Sequence, residues 1–469
     1  MIKEIGGYLE LELNKGKHYH ENAVYLNTAR NCLEYILKIR NYKNIYVPNY
    51  TCDAIFEPIK KIDIKYHIYC INDDLEPAIE PSLKNDEAIL YINYFGLKNN
   101  IVKHLAEKYQ KQLIVDNSQA FYDIPLNYID TFYSARKFFG VPDGAYLYID
   151  KKLNEECVLD VSFNKMLHLV KRLDLGPESG FSDFRNNEKR LENQSIKKMS
   201  ILTNKLLENI DYEWVRKKRL HNFKYIDSLL SKLNEFKFKI SDNCVPMVYP
   251  FKTKSIGIRE YLIANKIFVP LYWRNNFIDK DIKFNTELAK NIIAIPIDQR
   301  YDEKEMNHIS QIILKFFKVG LRPLRISDAK ISYKLRNDPD IWKYTGKRPD
   351  KVISYEIEAE WIKKVTIDTT SIRFAIQYNN EYIGNVQLTD IFRKNAQFHI
   401  FIGDKSKWGK GIATIATFQL IAYSKHVLNL SRIYLKVNLN NKPAIRIYQK
   451  AGFNFIEGNN MEIDLNSWF

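Results

Sequence analysis

Cysteine is scarce in this chain, glycine and proline are few, and no long apolar run occurs. The five cysteines (Cys32, Cys52, Cys70, Cys157 and Cys244) are odd in number, far apart and never in a Cys-x-x-Cys pair. That argues against a disulfide framework and a structural zinc site, and suits a reducing compartment. With 17 Gly and 15 Pro in 469 residues, and no repeat or low-complexity segment, fibrous and disordered classes are excluded. Nothing approaches the roughly 18 consecutive apolar residues of a membrane span. The opening MIKEIGGYLELELNKGKHYH has no apolar centre of the signal-peptide kind. The expectation is a cytoplasmic globular protein without a membrane partner.

What is present is charge and core. Hydrophobic residues make up 45% and charged residues 27% of the chain, enough for two or three domains with proper cores. Lys+Arg 71 against Asp+Glu 56 gives +15, of which +9 falls on residues 321–469. Such an excess suits nucleic acid, an anionic membrane surface or a polyanionic small ligand. The basic residues form no arm and no Arg-rich run, and no nucleic-acid motif appears, which argues against nucleic acid.

Through the first 150 residues, β-rich runs alternate with helical spacing. NIYVPN (44–49), IKYHIY (64–69), AILYINYF (88–95), QLIVDNS (112–118) and GAYLYID (144–150) read as strands, and Arg30 to Arg40 and Asn100 to Gln110 as helices. Crossover helices imply a mostly parallel sheet. Residues 160–235 read as helical and charged. FKFKI, VPMVYPF and IFVPLYW then read as strand-like pieces of a smaller lobe, with two helices, the last ending near Lys318. The pattern restarts at Val319-Gly320, which sets the expected boundary: a first domain over 1–319 (lobes 1–235 and 236–319) and a second over 320–469.

In the second block a strand ends near Gly403, a turn runs through Trp408-Gly409-Lys410-Gly411-Ile412-Ala413, and an amphipathic helix follows. Glycines let backbone amides approach a phosphate, and the free N–H groups of a new helix favour negative charge. A lone Gly-x-Gly is equally an ordinary helix cap. After RIYLKVN, however, comes Asn441-Lys442-Pro443-Ala444-Ile445-Arg446-Ile447-Tyr448-Gln449-Lys450-Ala451-Gly452-Phe453, with Asn441 and Tyr448 two helical turns apart. Together these motifs resemble the GNAT acetyltransferases over about residues 321–460. The resemblance implies acetyl-CoA as cosubstrate, its pyrophosphate cradled by Trp408, Gly409, Lys410, Gly411, Ile412 and Ala413, and its pantetheine arm paired with Ile400 and Ile402. It implies that Asn441 touches the cofactor and that Tyr448 protonates the departing thiolate. Gln397 stands where many relatives carry a Glu, so the amine proton would go to His399, to a water chain, or be lost before attack. Trp408 stands where Gln or Arg is usual.

In the first block, LIVDNSQAFYDIPLNYIDTFYSARKFFGVPDGAYLYID places Asp116 at a strand end and Lys137 21 residues later. Carboxyl ends of strands in open α/β sheets are where ligands bind. A lysine and a carboxylate there are what pyridoxal phosphate requires, a Schiff-base amine and a partner for the pyridine nitrogen. LNTARNCLEYIL, VPNYTCDAIFEPI, NYFG and GFSDFRNNEKRL complete a resemblance, over about 20–318, to DegT/StrS-type sugar-nucleotide aminotransferases. It implies fold type I with a small C-terminal lobe. It also implies Lys137 as Schiff-base lysine, Asp116 on the ring nitrogen, Gln119 beside the ring, Ala29, Arg30 and Ser134 near the phosphate, and Asp183 reaching the partner subunit's cofactor. Cys52 departs from the usual stacking aromatic.

Both resemblances point to one sequence of reactions: transamination of a keto-deoxyhexose nucleotide, with L-glutamate as donor, then acetyl-CoA-dependent N-acetylation of the amino sugar for a surface polysaccharide. A homodimer is implied, and no metal. The alternative is an acetyltransferase for a protein or other amine with an inactive aminotransferase-like scaffold.

Overall fold

The computed structural model of the chain describes residues 5–238, 240, 244–273, 286–344 and 349–468. They cluster into two compact units, Met1–Thr253 with Pro270–Met306, and Lys254–Val269 with Asn307–Phe469. Both are mixed α/β.

The first unit is built on a seven-stranded sheet. Its strands are β1 (Val24–Leu26), β2 (Asn44–Pro48), β3 (Lys65–Tyr69), β4 (Glu87–Ile92), β5 (Leu113–Asp116), β6 (Asp130–Ser134) and β7 (Ala145–Tyr148), in the order β1-β7-β6-β5-β4-β2-β3. From β3 to β6 every neighbour is parallel, while β7 runs antiparallel to both β6 and β1. Every residue of β4, β5 and β6 is buried; such continuous runs belong to strands covered on both faces. Helix α1 (Ala29–Arg40) starts at Thr28, whose side chain accepts from Asn31 N, and stops at Asn41 in the left-handed region. Strands β1 and β6 lie outside the sequence expectation, since VYL and DTFYS are short and unremarkable. VPMVYPF yields β8 (Val248–Lys252), paired antiparallel with β9 (Ile292–Pro296). FKFKI and IFVPLYW form no strand among their described residues: Phe236 N is taken by Asn234 Oδ1, and Pro270 has no N–H to give a ladder.

The second unit holds the sheet β10 (Val319–Pro323), β11 (Ile372–Tyr378), β12 (Glu381–Phe392), β13 (Asn395–Ile402), β14 (Arg432–Lys436), β15 (Asn454–Phe455) and β16 (Asn460–Asp464), in the order β10-β11-β12-β13-β14-β16-β15. Its helices are α2 (Ile258–Ala264), the part of α3 (Glu303–Phe317) from Asn307 on, α4 (Ala329–Arg336), α5 (Tyr355–Thr366), α6 (Ile412–His426) and α7 (Lys442–Ala451). Two stretches before residue 320 thus cluster with this unit, and α6 supplies the reason. Ile415, Ala416, Phe418, Leu420, Ile421 and Ala422 are all buried, more than one sheet face can cover. The far side is met by α2 and α3: Tyr261 packs on Phe418 and Phe316, and a Cβ on Gly257 would stand 2.9 Å from Phe418 O.

Candidate active site

Strands β13 and β14 are parallel, and they pair only through Asn395–Gln397 with Arg432–Tyr434. Beyond that they part, because β13 stays with β12 as far as Gly384 opposite Ile402, whereas β14 stays with β16. The free edge of β13 is polar. Gly403 N donates to Ile383 O at 2.8 Å, which turns the Ile402 carbonyl away from β12, and Trp408 Nε1 donates to that carbonyl at 2.8 Å. Peptide direction alternates along a strand, so the N–H and C=O of Ile400 also face the gap. A cavity of about 1760 Å³ fills the wedge.

One rim is the turn before α6. Gly409 and Gly411 have φ of +75° and +77°, left-handed values that suit glycine. Gly411 is the cap of α6 and brings no side chain to the first turn, so the amides there stay open to an anion. Trp408, Gly409, Gly411, Ile412, Ala413 and Thr414 border the cavity; Lys410 is exposed and does not.

The opposite rim is α7. Asn441 caps it, its Oδ1 accepting from Ala444 N at 3.3 Å, and Gly452 ends it at φ +104°. One turn from that end Tyr448 stands edge-on between Phe398 and Phe453, with ring centroids 5.8 and 5.9 Å away. Burial pushes its hydroxyl up to about 12, so it holds its proton at neutral pH.

The floor is one face of the sheet. Register sets Asn385 beside Phe401, Gln387 beside His399 and Thr389 beside Gln397, and Asn385, Gln387, Gln397 and His399 all border the cavity. Burial, then the Arg373 guanidinium, hold His399 below the ordinary histidine value, so its ring is neutral. Its Nε2 lies 2.9 Å from Thr389 Oγ1, which itself donates to Asp390 Oδ2 at 3.4 Å. The hydroxyl therefore accepts from Nε2–H, an assignment made from the hydrogen-bond geometry, and Nδ1 keeps its lone pair.

In the first unit, Asp116 ends β5 and Lys137 follows the neighbouring β6. Burial raises the Asp116 carboxyl and the Cys52 thiol, and the Lys137 ammonium acts against both shifts, so the three side chains share one environment; Lys137 Nζ also lies 6.0 Å from the Tyr272 ring centre. Phe95 N donates to Oε1 of the buried Gln119 at 2.8 Å; Gln119 Nε2 and the buried Thr51 hydroxyl have no hydrogen-bond partner among the described residues. Ser134 is buried and Ala29 opens α1. Arg30 is committed to Leu191 O at 2.9 Å and Glu57 at 3.4 Å, and Asp183 to Lys171 at 2.8 Å.

A model of the family described as "Acetyltransferase (GNAT) domain" matches residues 318–454. The spermidine N(1)-acetyltransferase of Escherichia coli (strain K12) is 34% identical over 142 residues, 30% of this chain and 74% of that protein. The chain belongs to the GNAT acetyltransferase family. Acetyltransferase PseH of Campylobacter jejuni subsp. jejuni serotype O:23/36 (strain 81-176) is 24% identical over 130 residues, 28% of this chain and 79% of that protein. The crystal structure of the Vibrio cholerae spermidine N-acetyltransferase in complex with CoA and spermine covers 32% of this chain and 98% of its own, at 28% identity and TM-score 0.29.

The GNAT domain gathers Ile400, Ile402, Trp408, Gly409, Gly411, Ile412, Ala413, Asn441, Tyr448 and His399 around the wedge. Sequence reasoning missed the floor residues Asn385 and Gln387 and the aromatic pair about Tyr448. Extending the two-residue alternation from His399 across the sheet finds the first; nothing local announces the second.

Proposed function

We propose that the GNAT domain transfers the acetyl group of acetyl-CoA to an amine borne on an anionic, nucleotide-linked deoxy sugar, and that the first unit makes that amine. The observation that carries the reading is the charge of the wedge. Of the described residues that line it, Arg336, Lys343, Lys407, Lys436 and Arg446 are basic and only Asp340 is acidic. Asp340 is already held by Lys405 at 2.8 Å, and Arg336 by Glu358 at 2.6 Å, which leaves Lys343, Lys436 and Arg446, with Lys407 4.0 Å from Asp404, as the positive charge of the lining. A polyamine needs unpaired carboxylates to replace its hydration, whereas this lining offers cations for phosphates and a floor of neutral amides for hydroxyl groups.

Chemistry follows from placement. The donor's diphosphate meets the open amides at Gly409–Ala413, and its amide arm pairs with the free edge at Ile400. The amine loses a proton to His399 Nδ1 and attacks the thioester carbonyl. As the tetrahedral intermediate collapses, the C–S bond breaks, Tyr448 gives its proton to the leaving sulfur, and the nitrogen's remaining excess proton passes to the phenolate so formed. Gln397 carries no charge and cannot take the base role.

For the first unit the residues fit pyridoxal phosphate. The unpaired Gln119 Nε2 and Thr51 hydroxyl, and a buried Asp116 in electrostatic reach of Lys137, are the kind of orphaned groups a bound cofactor completes. Lys137 would hold the aldehyde carbon, Asp116 the ring nitrogen and Ser134 the phosphate; when bound, the ring supplies an electron sink for transamination from L-glutamate. Arg30 and Asp183, tied to other partners, are the weaker members of the set. Val161, Phe163, Leu173 and Phe181 are 59–87% exposed, which supports a second copy of the chain as their cover.

The test is a comparison of acetyl acceptors. Nucleotide-linked amino sugars should give a higher kcat/KM than spermidine; the reverse order overturns the reading.

A further inference from the structure

Positive charge collects beside the phosphate turn with no carboxylate paired to it among the described residues. A Cβ built on Gly411 would stand 2.9 Å from Lys315 Nζ and 3.1 Å from Lys315 Cε. The ammonium reaching from α3 therefore lies against the residue that starts α6. Lys450 of α7 lies within electrostatic reach of it: burial, then the Lys315 ammonium, hold it below the ordinary lysine value, and its Nζ donates to Asn265 Oδ1, a neutral acceptor, at 2.8 Å. Neither lysine has a carboxylate partner among the described residues. Two ammonium groups and the positive end of a 15-residue helix repel one another, and a flexible exposed lysine can swing into water instead. Such convergence without a counter-charge suits an anion. Glycine at 411 keeps the place open, since any Cβ would displace the ammonium.

We propose that Lys315 binds a phosphate of the acyl-CoA donor, so that a helix lying before the family match at residues 318–454 completes the donor site. The proposal rests on acetyl-CoA being the cosubstrate. CoA carries a diphosphate and a 3′-phosphate, and the chemistry of recognition is the same for both.

The experiment is calorimetric titration of the full chain with CoA and with dephospho-CoA, for wild type, Lys315→Ala, Lys315→Arg and the control Lys318→Ala at an exposed lysine nearby. Lys315→Ala should weaken CoA binding roughly 5- to 10-fold and raise KM for acetyl-CoA by the same factor with kcat unchanged. Arginine should restore most of the affinity, and Lys318→Ala should bind as wild type. A penalty that vanishes with dephospho-CoA assigns Lys315 to the 3′-phosphate; one that persists assigns it to the diphosphate. Equal affinity of wild type and Lys315→Ala for both ligands overturns the proposal. Wild type that binds neither ligand refutes the acetyl-CoA reading itself, a different result.

Discussion

Replacing Tyr448 by phenylalanine removes one oxygen from the rim of the wedge. The ring sits between Phe398 and Phe453, and the phenylalanine ring fills the same space, so folding stability should change by no more than about 0.5 kcal/mol. Donor binding should hold as well, because the amides at Gly409–Ala413 and the edge at Ile400 are untouched. On the proposed mechanism, what is lost is proton donation to the leaving sulfur, worth roughly 10²-fold or more, or about 2.7 kcal/mol in the barrier. The loss should appear in kcat with KM for acetyl-CoA unchanged, measured by thiol release at saturating acceptor. An acetyl thioester whose thiol has a lower pKa needs less help to leave, and should recover much of the variant's rate. Full kcat in Tyr448→Phe, or a loss confined to KM, would refute the assignment of Tyr448 as the acid.

Other perturbations have equally definite outcomes. As the proposed base, His399 must be neutral; burial and Arg373 lower its pKa from 6.5, so the acid limb of kcat/KM should lie below that value, and Arg373→Gln should move it upward. A limb that ignores Arg373 removes His399 from the mechanism. Glu358 is fully buried, accepting from Ser332 Oγ and Arg336 Nη1 at 2.6 Å each, so Glu358→Ala should destabilise the GNAT domain by roughly 3–5 kcal/mol, read by denaturant titration. Purified protein supplied with pyridoxal phosphate should show its visible absorbance, and Lys137→Ala should lose it; a colourless wild type would remove transamination from the account.

Much of this was legible in the sequence where chemistry and local structure coincide. The glycine turn, the Pro443 start and Gly452 end of α7, and the buried runs of β4 and β5 each announce themselves within a few residues. The wedge does not, because it arises where β13 and β14 choose different partners, and pairing choice is a property of the whole sheet. Strand β6 was hidden because DTFYS is buried by its neighbours rather than by its own hydrophobicity. The clustering of residues 254–269 and 307–319 with the GNAT domain follows from α6 being apolar all round, which implies a second cover without saying which segment supplies it. Asn441 shows how one residue type can bear two readings: the GNAT resemblance implies a cofactor contact, and its side-chain oxygen serves as a helix cap at the cavity's edge.

On the proposed function, one chain first makes an amine on a nucleotide-linked sugar and then acetylates it. Incubation of the full chain with pyridoxal phosphate, L-glutamate, acetyl-CoA and a panel of 3- and 4-keto-6-deoxy nucleotide sugars, with products followed by mass, tests it most directly. An N-acetylated amino sugar that forms only when both glutamate and acetyl-CoA are present is the predicted result. No consumption of any keto sugar, with acetyl transfer to spermidine in the same preparation, would contradict it.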